Sequence, residues 1–248
     1  ADGLVVTSAR LVAGASVVDV TWPSGHSVTA TVDGADDMTG LAALTVAGGG
    51  YPTAALDTST PEPGDAVAVA AWSEEEGARV RDGVVRAVDA HVDPDGGRLL
   101  GLISTNTPVP EWADGSALVD SDGRLRGVCL AVPGNEPTGW AVPVEVALRV
   151  ADDLRRLGRV DRGWLGVSGT TGDAEGSVPA GLAVEDVAEG SPAASVGIAP
   201  GDRVFAVGDQ RVRTLADLRA ALTLSRPDQT IRIELARDGA LSTLAVRL

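Results

Sequence analysis

Residues 140–167 read Trp140-Ala141-Val142-Pro143-Val144-Glu145-Val146-Ala147-Leu148-Arg149-Val150-Ala151-Asp152-Asp153-Leu154-Arg155-Arg156-Leu157-Gly158-Arg159-Val160-Asp161-Arg162-Gly163-Trp164-Leu165-Gly166-Val167. The apolar spacing changes inside this stretch. Val146, Val150, Leu154 and Leu157 recur at three and four, which predicts one amphipathic helix opened by Pro143 and closed by Gly158. On its N-terminal side the chain is written in short β-branched runs between glycine and aspartate turns: Leu4–Val6, Ser16–Val20, Val28–Val32, Leu41–Val46, Ala66–Ala71, Gly83–Val88, Leu99–Ser104, Ala117–Val119, Leu125–Ala131 and Gly139–Val142. Strands at this density, with almost no helical period between them, predict an antiparallel sandwich or a pair of barrels. On its C-terminal side the pattern is mixed. Strands are expected at Leu165–Ser168, Leu182–Val187, Arg203–Val207, Thr230–Ala236 and Leu241–Arg247, with helices over Thr214–Leu224 and near Pro192–Val196. The division is therefore a β-rich domain over 1–142, a linking helix over 143–162 and a small α+β domain over 163–248.

Composition narrows the function classes. The 248 residues carry 35 acidic and 20 basic side chains, a formal charge of −15, and every basic residue is arginine. That balance argues against nucleic acid as a partner. The acidity is uneven: 24 acidic against 12 basic residues up to Arg162, and 11 against 8 after it. No apolar run approaches the roughly 20 residues of a membrane-spanning helix. A single cysteine, Cys129, excludes an internal disulfide and a multi-cysteine metal site. No cofactor is implied. Asp93-Pro94-Asp95-Gly96-Gly97 and Ala35-Asp36-Asp37 lack the ligand count of a calcium loop and read as solvated turns.

The order of parts resembles the HtrA family: a trypsin-like double β-barrel, a linking helix and a PDZ domain. The motifs that carry the resemblance are Trp140-Ala141-Val142-Pro143 before the helix, Gly158 through Val167, Glu189-Gly190-Ser191-Pro192-Ala193-Ala194, and Gly197-Ile198-Ala199-Pro200-Gly201-Asp202-Arg203-Val204. Pro63 through Val69 and Leu118 through Val128 fit the family's strand and turn signatures. The resemblance implies a mostly β fold whose first barrel starts late, at Asp2-Gly3-Leu4-Val5-Val6-Thr7, the hairpin leading to the catalytic histidine. It also implies a place outside the cytoplasm, anchored to the membrane by a segment absent from this sequence. With the trimerising N-terminal segment also absent, a monomer is expected.

Three positions depart from the family's chemistry. Serine hydrolysis needs a hydroxyl nucleophile, an imidazole base and a carboxylate that orients the imidazole. Aligned on Thr7-Ser8-Ala9-Arg10, the base position holds Arg10, which cannot accept a proton. Thr39-Gly40-Leu41-Ala42 puts Gly40 where the aspartate stands, and Trp112-Ala113-Asp114-Gly115-Ser116-Ala117-Leu118 puts Asp114 at the nucleophile and Trp112 beside the oxyanion hole. On this reading the chain is not an enzyme. Arg10 and Asp114 are expected to face one another across the cleft and could pair. The histidines, His26 and His91, read as solvated turn residues away from the cleft, Met38 as a loop residue, and Cys129 as a buried apolar group. A set relocated around Ser116, Ser104, Thr105 or Thr107 is the enzymatic alternative.

The second domain keeps its motif. PDZ domains add an extended peptide as a strand and hold its terminal carboxylate on backbone amides. The resemblance assigns that loop to Arg162 through Val167, with Gly166 permitting close approach, and assigns the peptide groove to Trp164, Leu165, Gly166, Val167, Leu218 and Leu222. The expected partners are protein C-termini or extended peptides, bound by an adaptor, sensor or regulator. A structural module with a blocked groove is the remaining alternative.

Overall fold

The computed structural model describes residues 3–92, 99–134, 137–223 and 225–248. The chain forms two compact units, 1–160 and 161–248. The first is built almost entirely of antiparallel strands. β1 (Leu4–Ser8), β2 (Val17–Thr21), β3 (Ser27–Asp36) and β4 (Leu41–Val46) make an open sheet in the order β1-β4-β3-β2. β5 (Ala66–Ser73), β6 (Gly77–Val92), β7 (Leu99–Thr105), β8 (Ala117–Asp120), β9 (Leu125–Leu130) and β10 (Gly139–Pro143) close into a six-stranded barrel. Closure leaves that sheet without an edge, and its interior is filled by Val67, Val69, Val85, Ile103, Leu118 and Cys129.

Pro143 ends β10 and directly precedes α1 (Val144–Leu157). Gly158 stops the helix in a left-handed conformation, φ +69°, with its N–H on the Leu154 carbonyl at 2.8 Å. The buried stripe differs from the expected one. Val150 and Leu154 are buried as read, but Ala147 and Ala151 complete the face, while Val146 is half-buried and Leu157 is 45% exposed. Small alanines let the helix lie close to the sheet, so the stripe follows the contact with Leu41, Ala43 and Val128 rather than side-chain size.

The second unit is one sheet with short helices. β11 (Val167–Gly172), β12 (Gly181–Val187), β13 (Arg203–Val207), β15 (Thr230–Arg237) and β16 (Ala240–Arg247) follow in that spatial order, and the two-residue β14 (Gln210–Arg211) pairs with β13. α2 (Pro192–Ser195) is capped by the Ser191 hydroxyl, and α3 (Leu215–Leu222) by a reciprocal box between Thr214 and Asp217. The expected strand at Leu165–Ser168 is displaced. Gly166, at φ +84°, turns the chain just before β11, so Leu165 and Gly166 belong to a loop. The expected end of the last helix, Leu224, and the Asp93–Gly97 cluster lie outside the described residues. Among the described residues no helix is long and apolar enough to cross a membrane.

Candidate functional site

The first unit brings Arg10, Gly40 and Asp114 together on one cavity of about 290 Å³. A short 3₁₀ turn, Ala9–Val12, carries Arg10, and a second, Glu111–Ala113, delivers Asp114. Arg10 Nε and Nη2 each lie 3.1 Å from Asp114 Oδ2. The other carboxylate oxygen, Oδ1, accepts the Ala131 N–H at 2.9 Å. Both oxygens of Asp114 are therefore engaged and its side chain is only 1% exposed, whereas the Arg10 side chain is half exposed. Such a buried carboxylate is tolerable because each oxygen has a donor.

Gly40 holds the other wall. Its φ of +71° is one that few side chains accept, and a Cβ there would come within 3.3 Å of the Leu130 side chain. Its carbonyl accepts the Ala9 N–H at 2.8 Å, which fixes the start of the turn that presents Arg10. The backbone donors around Asp114 are committed internally: Asp114 N–H to Glu111, Gly115 N–H to Cys129 and Ser116 N–H to Ala113. Trp112 is half-buried in the second turn. Cys129 is fully buried beneath, and burial pushes its thiol up to about 12, the Asp114 charge adding in the same direction against a Ser116 hydroxyl contact. His26 sits exposed in the β2–β3 turn, its ring 6.0 Å from that of Trp22, and His91 is exposed on β6. Met38 is 36% exposed on the loop before Gly40. Ser104, Thr105 and Thr107 are buried, and their hydroxyls donate to the carbonyls of Ala87, Thr107 and Asp82 respectively.

In the second unit the loop before β11 has a defined polarity. The Leu165 carbonyl accepts the Ala193 N–H at 3.0 Å and the Gly166 carbonyl accepts the Ala188 N–H at 2.9 Å. Across a trans peptide the N–H points opposite to the carbonyl. The N–H groups of Gly166 and Val167 are thus turned away from α2 and β12, toward the outer side of β11, the terminal strand of its sheet. Gly166 cannot be replaced cheaply, since a Cβ would fall 2.2 Å from Ser191 Cβ. Leu165, Leu218 and Leu222 are 1%, 3% and 7% exposed and form part of the core of this unit, with Val167 packed half-buried against it. Trp164 is the exposed member of the group, at 58%.

The family described as trypsin-like peptidase domain matches residues 1–128, more than half of the chain. The chain belongs to the trypsin-like peptidase family. The PDZ domain family matches residues 162–248, so both parts of the HtrA arrangement are present and the fold is a trypsin-like domain followed by a PDZ domain. The chain is homologous to the HtrA-type serine proteases. Serine endoprotease DegS of Haemophilus influenzae is 26% identical over 99% of this chain and 73% of its own length. Serine protease Do-like HtrA of Lactococcus lactis subsp. cremoris is 28% identical, over 100% of this chain and 67% of its own. A DegP-like endoprotease of Halomonas elongata, whose name places it in the periplasm, is 29% identical over 96% of this chain and 52% of its own. The chain thus spans about half to three quarters of the length of these relatives. The solved structure of the HtrA-type protease AlgW with a decapeptide superposes with a TM-score of 0.75 at 27% identity, covering 100% of this chain and 79% of that one.

These relatives overturn the expectation that the chain is not an enzyme. They are named serine proteases, and the family to which the chain belongs is a peptidase family. Substitution at the three positions of a familiar triad does not by itself remove a reaction class, because a hydroxyl elsewhere in the cleft can serve as nucleophile.

Proposed function

We propose that the protein acts on polypeptides outside the cytoplasm and recognises their C-terminal ends or extended segments through the second unit. The observation that carries this is the pair of outward-turned amides at Gly166 and Val167 beside the terminal strand β11. An edge strand offers its unpaired backbone to an added strand, and neighbouring backbone N–H groups suit a carboxylate. The half-buried Val167 and the exposed Trp164 flank that point, so the terminal side chain meets an apolar surface. The decapeptide held by AlgW and the periplasmic relative support the same reading. We assign the carboxylate loop to Arg162 through Val167, with Trp164 and Val167 at the groove and Leu165, Leu218 and Leu222 as the apolar bed beneath it. Arg10, Gly40 and Asp114 we assign to the places of the family's triad. Presented with a library of peptides with free C-termini, the protein selects those ending in Val, Leu, Ile, Ala or Phe. Selection that ignores the terminal residue would overturn the proposal.

A second reading, favoured by relatives named serine proteases, is hydrolysis of the captured polypeptide by the first unit. On that reading the protein releases acid-soluble peptides from unfolded casein. Ser116→Ala, which removes the hydroxyl two residues from Asp114, then abolishes the release; unchanged release from the variant excludes Ser116 as nucleophile.

A further inference from the structure

The cavity at Arg10 has the makings of a ligand site of its own. Its volume, about 290 Å³, lies at the lower end of what small-molecule pockets occupy. Most of its wall is apolar, contributed by Ala9, Ala13, Leu99, Val132 and Pro133. Arg10 supplies the cation. A guanidinium in a two-pronged pair gives each nitrogen its own oxygen, but here Nε and Nη2 share the single oxygen Oδ2, because Oδ1 is held by Ala131. Arginine has five N–H donors, and no protein group among the described residues takes the Nη1 pair. The side chain is half exposed on the cavity wall, so these donors are open to a second acceptor. Asp114 cannot turn to meet them, because both its oxygens are engaged and it is buried. Asp37, exposed and also on the wall, sets the opposite limit, since it disfavours a ligand with more than one negative charge.

We infer that this cavity binds a monoanionic carboxylate carrying one compact apolar group, with the carboxylate on the outer edge of the Arg10 guanidinium and the apolar group against Val132, Pro133 and Leu99. The site is independent of the peptide groove in the second unit: its anion is held by a side chain rather than by backbone amides. Arg10 is here a binding residue, and the Asp114–Ala131 contact is what holds it in place.

The test follows nitrogen-resolved NMR signals of the full chain during titration with N-acetyl-L-leucine. The Arg10 Nε–H and Ala131 amide signals are expected to shift and saturate. N-acetyl-L-leucinamide, which keeps the apolar group but lacks the charge, should leave both unmoved up to the same concentration. Arg10→Gln weakens the saturation at least about tenfold, the loss expected for one charge-assisted contact. Arg10→Lys, which keeps the charge without the fork, restores part of it and guards against a folding defect in the glutamine variant. Three results would overturn the inference: equal shifts with the amide, no shift at millimolar carboxylate, or shifts confined to Gly166 and Val167. The last would locate all carboxylate binding in the second unit and leave the proposed peptide groove intact.

Discussion

A groove-binding peptide whose terminal carboxylate is amidated binds at least about 100-fold more weakly than the free acid, a loss of about 2.7 kcal/mol. The size follows from the chemistry of the loop. A carboxylate offers two charged acceptors to the N–H groups of Gly166 and Val167, and hydrogen bonds to a charged partner contribute about 1.5–3 kcal/mol each. An amide has one neutral oxygen, and its NH₂ turns donors against donors. Desolvating an N–H without giving it an acceptor adds to the penalty. The measurement is fluorescence anisotropy of a labelled peptide pair on the full chain. Equal affinity for acid and amide would show that the amides do not meet the peptide end. The geometry depends on Gly166, because the left-handed turn at φ +84° sends the two carbonyls to Ala188 and Ala193 and so aims the two N–H groups outward.

Asp202→Ala destabilises the second unit by about 3 kcal/mol. Asp202 is 1% exposed and meets Arg237 as a fork, Nε on Oδ1 and Nη2 on Oδ2, both at 2.6 Å. Its Oδ2 also accepts the Ala199 N–H at 2.9 Å, and Arg237 Nη2 donates to the Gly197 carbonyl at 2.6 Å. One carboxylate thus ties the Gly197–Gly201 loop to the end of β15. Breaking a fully buried pair costs about 3–5 kcal/mol; half of Arg237 faces water, which puts this one at the low end. Burial pushes the Asp202 carboxyl up, but the Arg237 hydrogen bonds, the Ala199 N–H and the Arg237 charge outweigh it and hold the group below the usual carboxylate range. With a folded value below the unfolded one, near 3.9, the contribution is complete above about pH 4 and is lost as the pH falls through the folded value. Native-state hydrogen exchange of β13 and β15 amides should therefore show a wild-type protein that loses protection below pH 4 more steeply than Asp202→Asn. Parallel pH profiles would show that the carboxylate charge is not what the loop uses.

The strands were legible because each is a short β-branched run closed by a turn residue; Leu41–Val46 in the first unit and Arg203–Val207 in the second match residue for residue. The helix was legible from its period and its two ends. Its buried face was not, because Ala147 and Ala151 are chosen by how closely the sheet approaches. The groove leucines posed the same difficulty. Leu165, Leu218 and Leu222 have a spacing equally suited to a pocket wall and a core, and only packing in three dimensions made them 1–7% exposed.

What the linear order of residues settled was local: the period of each segment, the places where it turns, and which residue types stand at Arg10, Gly40, Asp114 and Gly166. The tertiary structure decided which distant groups meet. Arg10 and Asp114 are 104 residues apart, and nothing in either neighbourhood specifies a 3.1 Å contact between them. That contact depends on the Gly40 carbonyl holding one turn and the Ala131 N–H holding the carboxylate of the other. Ion pairs and cavities are properties of surfaces brought together by burial, and burial is decided by the whole chain at once.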